Sequence, residues 1–324
     1  MRSFISHFSF TILHFFITFA AKLEKMMAND EAFIGLAGMG TALVTPFCED
    51  GSLDIPAYER LLVESIEAGI NFFCVLGTTA ETPTLTESEQ MTLRQTAVRV
   101  IAGRRPILLG FGGNDTAGML ARMSSDAFEG IDALLIVTPF YNKPSQEGLY
   151  RHYRTLSEHS PLPIVLYNVP GRTGVNMTAE TTLRLARDCH NIIGIKEASG
   201  RVEQIEQILR ERPEGFRVLS GDDKLTCQLM QQGADGAVSV ASNLYPAQLS
   251  RLATLLRLGD YTAADILDAQ LAPVYDLLFA EGSPAGVKTA LSLQGRCQNI
   301  LRLPLVPASA ALKEQFQSLL LTER

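Results

Sequence analysis

The 324-residue sequence predicts an α/β fold, a (β/α)8 TIM barrel with a C-terminal helical extension, on three observations. Short apolar runs recur at regular intervals. The runs are continuously apolar instead of alternating, and amphipathic helical stretches separate them. From Leu36 onward the β-rich runs end near Val44, Leu76, Leu109, Val137, Tyr167, Ile195, Leu219 and Val240, at intervals of 21 to 33 residues, the length of a strand, a loop and a helix. Runs such as Asn71–Leu76 and Ala133–Val137 have the composition of parallel strands buried on both faces. Thr86–Ile101 is a representative helix, and Thr86 with Glu89 supplies the pattern of a capping box at its start. Eight such units favour a closed barrel over an open doubly wound sheet of about five or six strands.

The barrel is expected over residues 31–257 and the helical region over 258–324. In the latter, Tyr261–Leu278, Pro284–Leu293 and Ala308–Leu321 read as helices, and Pro304 and Pro307 punctuate the last connection. No Gly/Ser-rich linker separates the two parts. Residues 1–30 form an N-terminal extension with two readings. The mostly apolar stretch 4–21, between Arg2 and Lys22, is targeting-like. Met26 and Met27 before a polar segment fit an over-extended gene start instead. After residue 30 no apolar run approaches the ~20 residues of a membrane span, so no membrane partner is expected.

Composition narrows the function. With 46% hydrophobic and 19% charged residues the chain buries a core and is not disordered. A formal charge of −7 without a long basic run argues against nucleic acid. Five cysteines, with no CxxC pair, form neither a disulfide framework nor a zinc ribbon and suit a reducing, cytoplasmic setting. Five scattered histidines without an HExxH pattern leave no metal site to expect.

In barrels of this class the chemistry sits at the C-terminal strand ends. Lys196 is the sharpest residue there. Burial favours the neutral form of a lysine, and a neutral amine is what adds to a carbonyl to form an imine. An ion pair with Glu197 is the other reading of the same lysine. Tyr167 and Tyr141, at adjacent strand ends, have the chemistry to relay protons with the Thr78 hydroxyl, although packing explains a lone tyrosine as well. Thr78 and Thr79 follow Gly77 and offer hydroxyl and N–H donors to a small carboxylate, or serve simply as turn residues. Arg172, between Gly171 and Gly174, suits bidentate capture of a carboxylate or a surface ion pair. Gly110-Phe111-Gly112-Gly113 lacks phosphate-loop spacing and reads as a close-packed turn. Asp222-Asp223 reads as a helix start.

The motifs GTTAE (77–81), VTPFYNKPSQEG (137–148), LYNVPGRTG (166–174), GIKEASG (194–200) and LSGDD (219–223) resemble those of the dihydrodipicolinate synthase family. Its members are pyruvate-dependent class I aldolases of the N-acetylneuraminate lyase superfamily. The resemblance runs from about Gly38 to Pro307. It implies a lyase without metal or organic cofactor that condenses pyruvate with L-aspartate 4-semialdehyde in the diaminopimelate route to L-lysine. Lys196 would form the imine, Tyr167 would shuttle protons, and Thr78 would link it to Tyr141, which in this family enters the neighbouring subunit's site. Thr79 would hold the pyruvate carboxylate and Arg172 that of the second substrate, while Gly221 and Val238 would line the pocket and Thr45 shape its floor. A homotetramer, a dimer of dimers, is implied as well. The alternative within the superfamily is an aldolase acting on a sugar-acid aldehyde, which shares Lys196, Tyr167 and the two threonines.

Two departures stand out. Ala80 replaces a glycine common in the family. Glu87, Gln90, Gly118 and Phe140 occupy positions where lysine-inhibited members often carry histidines, a glutamate and a tyrosine. Weak or absent feedback by L-lysine is the resulting expectation.

Overall fold

The computed structural model of the chain describes residues 35–125 and 128–322. The readings of residues 1–30 lie outside that range. Eight parallel strands close into a barrel in sequence order: β1 (Gly38–Ala42), β2 (Phe72–Val75), β3 (Ile107–Gly110), β4 (Ala133–Val137), β5 (Ile164–Asn168), β6 (Ile192–Glu197), β7 (Arg217–Ser220) and β8 (Gly236–Ser239). Pairing of β8 with β1, from Gly38 opposite Gly236 to Thr41 opposite Ser239, closes the ring. Each predicted apolar run therefore falls on a strand. Burial on both faces explains their composition, since one face meets the barrel interior and the other the helices. Close approach sets some positions more narrowly: a Cβ on Gly40 would lie 2.2 Å from the Phe72 ring.

A helix follows each strand: α1 (Ile55–Glu67), α2 (Glu87–Ile101), α3 (Thr116–Ser125), α4 (Gln146–His159), α5 (Ala179–Asp188), α6 (Val202–Glu211), α7 (Asp223–Gln231) and α8 (Pro246–Leu258). Several of their starts are set by side chains that satisfy otherwise orphaned N–H groups. Thr86 and Glu89 form the predicted capping box of α2, Ser145 accepts from Gly148 ahead of α4, and Thr178 accepts from Thr181 ahead of α5. Asp222 caps α7, as the sequence indicates.

Beyond α8, Gly259 takes the left-handed conformation that stops the helix, and α9 (Tyr261–Phe279), α10 (Ala285–Leu293) and α11 (Ala310–Thr322) follow. The long α9 packs against α7 and α8, while α10 lies on α9 and on the short turn after β8. Residues Ala285–Leu291 of α10 are all buried. This helix is closed in by the barrel and its own neighbours, and it touches the loops after β1 and β2 through Lys288, which donates to the Thr45 carbonyl and to Glu81.

Candidate active site

Lys196 lies one residue before the end of β6 and is 6% exposed. Strand alternation sends it and Glu197 to opposite faces. Glu197 turns to the helix layer, where it accepts from Asn168 Nδ2, from the Ser199 N–H at 2.9 Å and from Gln204 Nε2 at 3.1 Å. Burial pushes its carboxyl above the ordinary carboxylate range, and those same donors oppose the shift. The ion-pair reading of Lys196 therefore fails, and no carboxylate pairs with this lysine among the described residues. Its Nζ stands 4.4 Å from the Tyr167 ring centroid, with Tyr167 its register partner on β5. Gly221 makes room on the other side: a Cβ there would come within 2.9 Å of Lys196 Cε and 2.6 Å of Ala198 Cβ.

The loop after β2 carries the two threonines. Leu76 (φ 55°) and Glu81 (φ 56°) bracket it in the left-handed region, and Thr78–Ala80 form a single 3-10 turn between them. Left-handed geometry costs a non-glycine residue of order 1–3 kcal/mol and persists only where surroundings enforce it. The enforcing bonds are visible. Thr82 Oγ1 donates to the Leu76 and Gly77 carbonyls at 2.9 and 3.0 Å, and Thr45 Oγ1 donates to the Ala80 carbonyl at 2.7 Å. Thr79 is buried, whereas Thr78 is exposed on the cavity wall. Gly110 is a packing glycine, because its Cβ would sit 2.0 Å from the Leu76 carbonyl oxygen. That bears out the close-packed turn.

After β4, Tyr141 (φ 74°) and Lys143 (φ 45°) are left-handed as well. Tyr141 is 89% exposed and stands off this chain's own cavity. After β5, the single turn Pro170–Thr173 presents Arg172, whose Nη2 donates to the Ser283 carbonyl at 3.1 Å. Val238 is buried on β8 in register with Gly40.

Next to these residues opens a cavity of about 680 Å³. Thr78, Tyr167 and Arg172 lie on its wall together with Leu76, Phe111 and Val169. Its outer end runs over α2, past Glu87 and Gln90. Thr79, Lys196, Gly221 and Val238 belong to the strand ends and the loops directly after them, outside this wall. Within one chain the structure thus gathers Lys196, Tyr167, Thr78, Thr79, Arg172 and Gly221 at one end of the barrel, while Tyr141, on the loop after β4 at that end, is turned to solvent. No cluster of potential metal ligands occurs among the described residues. Asp222 accepts from the Lys224 N–H, and Asp223 Oδ2 accepts from the Val240 and Ala241 N–H groups at 3.0 Å.

Sequence reasoning missed a second buried lysine at the same end. Lys288 and Glu81 form an ion pair at 2.7 Å with both side chains wholly buried. Desolvation draws the lysine pKa down and Glu81 opposes that shift. A lysine inside the apolar stretch Ala285–Leu293 was the available signal.

Comparison with known proteins agrees with this geometry. A curated 4-hydroxy-tetrahydrodipicolinate synthase from Parabacteroides distasonis is 49% identical over 289 residues, which are 89% of this chain and 97% of that protein. The crystal structure of dihydrodipicolinate synthase from Thermotoga maritima superposes with a TM-score of 0.87 at 42% identity, covering 89% of this chain and 98% of that one. The chloride-inhibited enzyme of Acinetobacter baumannii, solved with pyruvate, gives a TM-score of 0.85 at 38% identity, covering 88% and 98%. Residues 35–323 match the model of the dihydrodipicolinate synthetase family. With a closed barrel, a buried strand-six lysine and relatives this similar over nearly their whole length, the chain belongs to the dihydrodipicolinate synthetase family.

Proposed function

We infer that the chain catalyses the 4-hydroxy-tetrahydrodipicolinate synthase reaction, the condensation of pyruvate with L-aspartate 4-semialdehyde, through an imine on Lys196. The observation that carries the residue assignment is the setting of Lys196. It is a buried amine without a carboxylate partner among the described residues, in register with Tyr167 and at the end of the barrel that holds two carboxylate-binding candidates.

The amine lone pair attacks the pyruvate ketone, and loss of water from the carbinolamine leaves a protonated imine. That imine is an electron sink, so a proton leaves the pyruvate methyl group and an enamine forms. The enamine carbon attacks the aldehyde of the second substrate, making the new carbon–carbon bond. The amine of that substrate then attacks the imine carbon, closes the ring and releases Lys196. Tyr167 supplies and removes protons with Thr78 beside it. Thr79 receives the pyruvate carboxylate, Gly221 and Val238 shape the pocket, and Arg172 at the cavity wall receives the second carboxylate.

Tyr141 completes the relay from a neighbouring subunit, in a homotetramer built as a dimer of dimers. Its 89% exposure on a strained backbone supports this reading. The five free cysteines support a reducing, cytoplasmic setting, and no described helix is long and apolar enough to cross a membrane. The test is borohydride reduction of the protein with pyruvate, followed by intact mass and peptide mapping. One pyruvate-derived adduct on the Lys196 peptide is expected. A folded protein without an adduct would remove the imine mechanism.

A further inference from the structure

Lys288 does not line the cavity, yet both hydrogen bonds its side chain makes end on the loops that build the site. Its Nζ donates to Glu81 Oε1 at 2.7 Å and to the Thr45 carbonyl at 2.9 Å, and it stands 4.3 Å from the Phe47 ring centroid. The second oxygen of Glu81 accepts the Arg302 backbone N–H at 3.0 Å. The Arg302 guanidinium lies 4.4 Å from the centroid of the same Phe47 ring, donates to the Thr84 carbonyl at 2.9 Å and pairs with Glu89. The C-terminal extension therefore grips the β2–α2 loop at Glu81, at Thr84 and at the first turn of α2.

That grip bears directly on the threonines. The Glu81 N–H donates to the Thr78 carbonyl at 3.2 Å, and Thr45 Oγ1 holds the Ala80 carbonyl at 2.7 Å. A closed circuit runs from Thr45 to Ala80, along the chain to Glu81, across to Lys288 and back to Thr45. The left-handed turn at Glu81 and the direction of its carboxylate are thus set together. Stability is a poor reason for such a pair. Taking two charges out of water costs about as much as their attraction returns, and apolar residues of similar volume serve a fold as well or better. The rest of α10 is indeed largely apolar.

We propose that Lys288 is a positioning residue which, through Glu81, fixes Thr78 and Thr79 relative to Lys196, making the C-terminal extension part of the pyruvate site. The proposal rests on the imine reading of Lys196. Its consequence is specific to one substrate, because the anchored loop carries the groups for pyruvate, while Arg172 stands on a separate turn after β5 and meets the extension at the Ser283 carbonyl, not at Lys288 or Glu81.

The test compares wild type with Lys288→Met and with the double variant Lys288→Met/Glu81→Gln. The single variant leaves a lone buried carboxylate and is expected to fold poorly. The double variant removes both charges at nearly constant volume and is expected to fold, as read by circular dichroism. In it, pyruvate KM rises and borohydride trapping slows by about 10-fold or more, as misplacement of binding groups predicts. KM for the second substrate at saturating pyruvate stays within about 2-fold, because its binding group has not moved. A folded double variant with wild-type pyruvate KM and trapping rate overturns the proposal, and so does an equal loss for both substrates. A double variant that does not fold overturns it too, by making the pair a requirement of the fold. Absence of any adduct in the wild type would instead remove the imine reading itself.

Discussion

Tyr167 and Lys196 are register partners on β5 and β6, and the lysine nitrogen lies 4.4 Å from the tyrosine ring centroid. The ring packs against the lysine nitrogen, and in the proposed mechanism its hydroxyl serves proton transfer. Tyr167→Phe separates them by keeping the ring and removing the hydroxyl. The variant should fold as wild type and still bind pyruvate, while kcat falls by about 10²–10⁴, the usual worth of a positioned acid–base group. Steady-state kinetics with borohydride trapping rates provide the check. Undiminished kcat would take Tyr167 out of the proton relay.

The barrel was legible because its signals are local, and so was the placing of the candidate residues at the strand ends. A continuous apolar run marks a strand buried on both faces, and polar residues at or just past its C-terminal end mark the candidate site. Lys196 and Tyr167 stand one residue before the ends of β6 and β5, and the threonines lie in the loop after β2. The Thr86–Glu89 capping box is equally local and is found as read. Lys288 was illegible for the opposite reason. Its partner Glu81 is 207 residues away in sequence, and no periodicity links a helix in the extension to a loop after strand two. The fate of Glu197 was partly hidden as well. Alternation puts it opposite Lys196, but its partner Gln204 on α6 becomes apparent only once the helix is packed.

Arg172→Ala distinguishes the inferred second substrate from a sugar-acid aldehyde. Arg172 lies on the cavity wall, and its Nη2 holds the Ser283 carbonyl at 3.1 Å, so its head is oriented before any ligand arrives. Loss of a charge-assisted contact of about 1.5–3 kcal/mol raises KM for aspartate semialdehyde by roughly 10- to 100-fold. Pyruvate trapping on Lys196 should be unchanged. Unaltered kinetics with aspartate semialdehyde would remove Arg172 from that role.

Tyr141 gives a complementation test of the proposed subunit exchange. Tyr141→Phe and Lys196→Ala are each expected to be nearly inactive as pure proteins. If Tyr141 serves the neighbouring site, a mixed dimer holds one complete site, and random reassociation of equal amounts restores about a quarter of wild-type activity. If Tyr141 serves its own chain, mixing restores nothing.

Feedback by L-lysine is expected to be weak or absent. Glu87 and Gln90 line the outer end of the cavity, and Gly118 on α3 supplies no carboxylate for an ammonium. A lysine titration of initial rates should show no half-inhibition below about the millimolar range, a Kd there corresponding to only about 4 kcal/mol of binding. Half-inhibition at sub-millimolar lysine would contradict this.

His152 on α4 should steepen the acid limb of the stability curve. Its Nδ1 meets Thr116 Oγ1 at 2.8 Å, joining α4 to α3, and its ring packs edge-on against Tyr153. Burial pushes its pKa from 6.5 down to about 4, with nearby Asp115 opposing the shift. The folded state therefore keeps the imidazole neutral where the unfolded chain protonates it. The unfolded state then binds more protons between about pH 6.5 and 4, so stability falls as pH falls through that window and levels off below it. A shift of this size corresponds to about 3 kcal/mol at the acid end, at 1.36 kcal/mol per unit. His152→Gln removes the titration while keeping a polar group for Thr116. The variant should be less stable than wild type at pH 7, and the gap should shrink by about 2 kcal/mol at pH 4.5. Urea unfolding of both proteins at the two pH values measures the gap. A gap that stays constant would show that His152 is not held neutral by the fold.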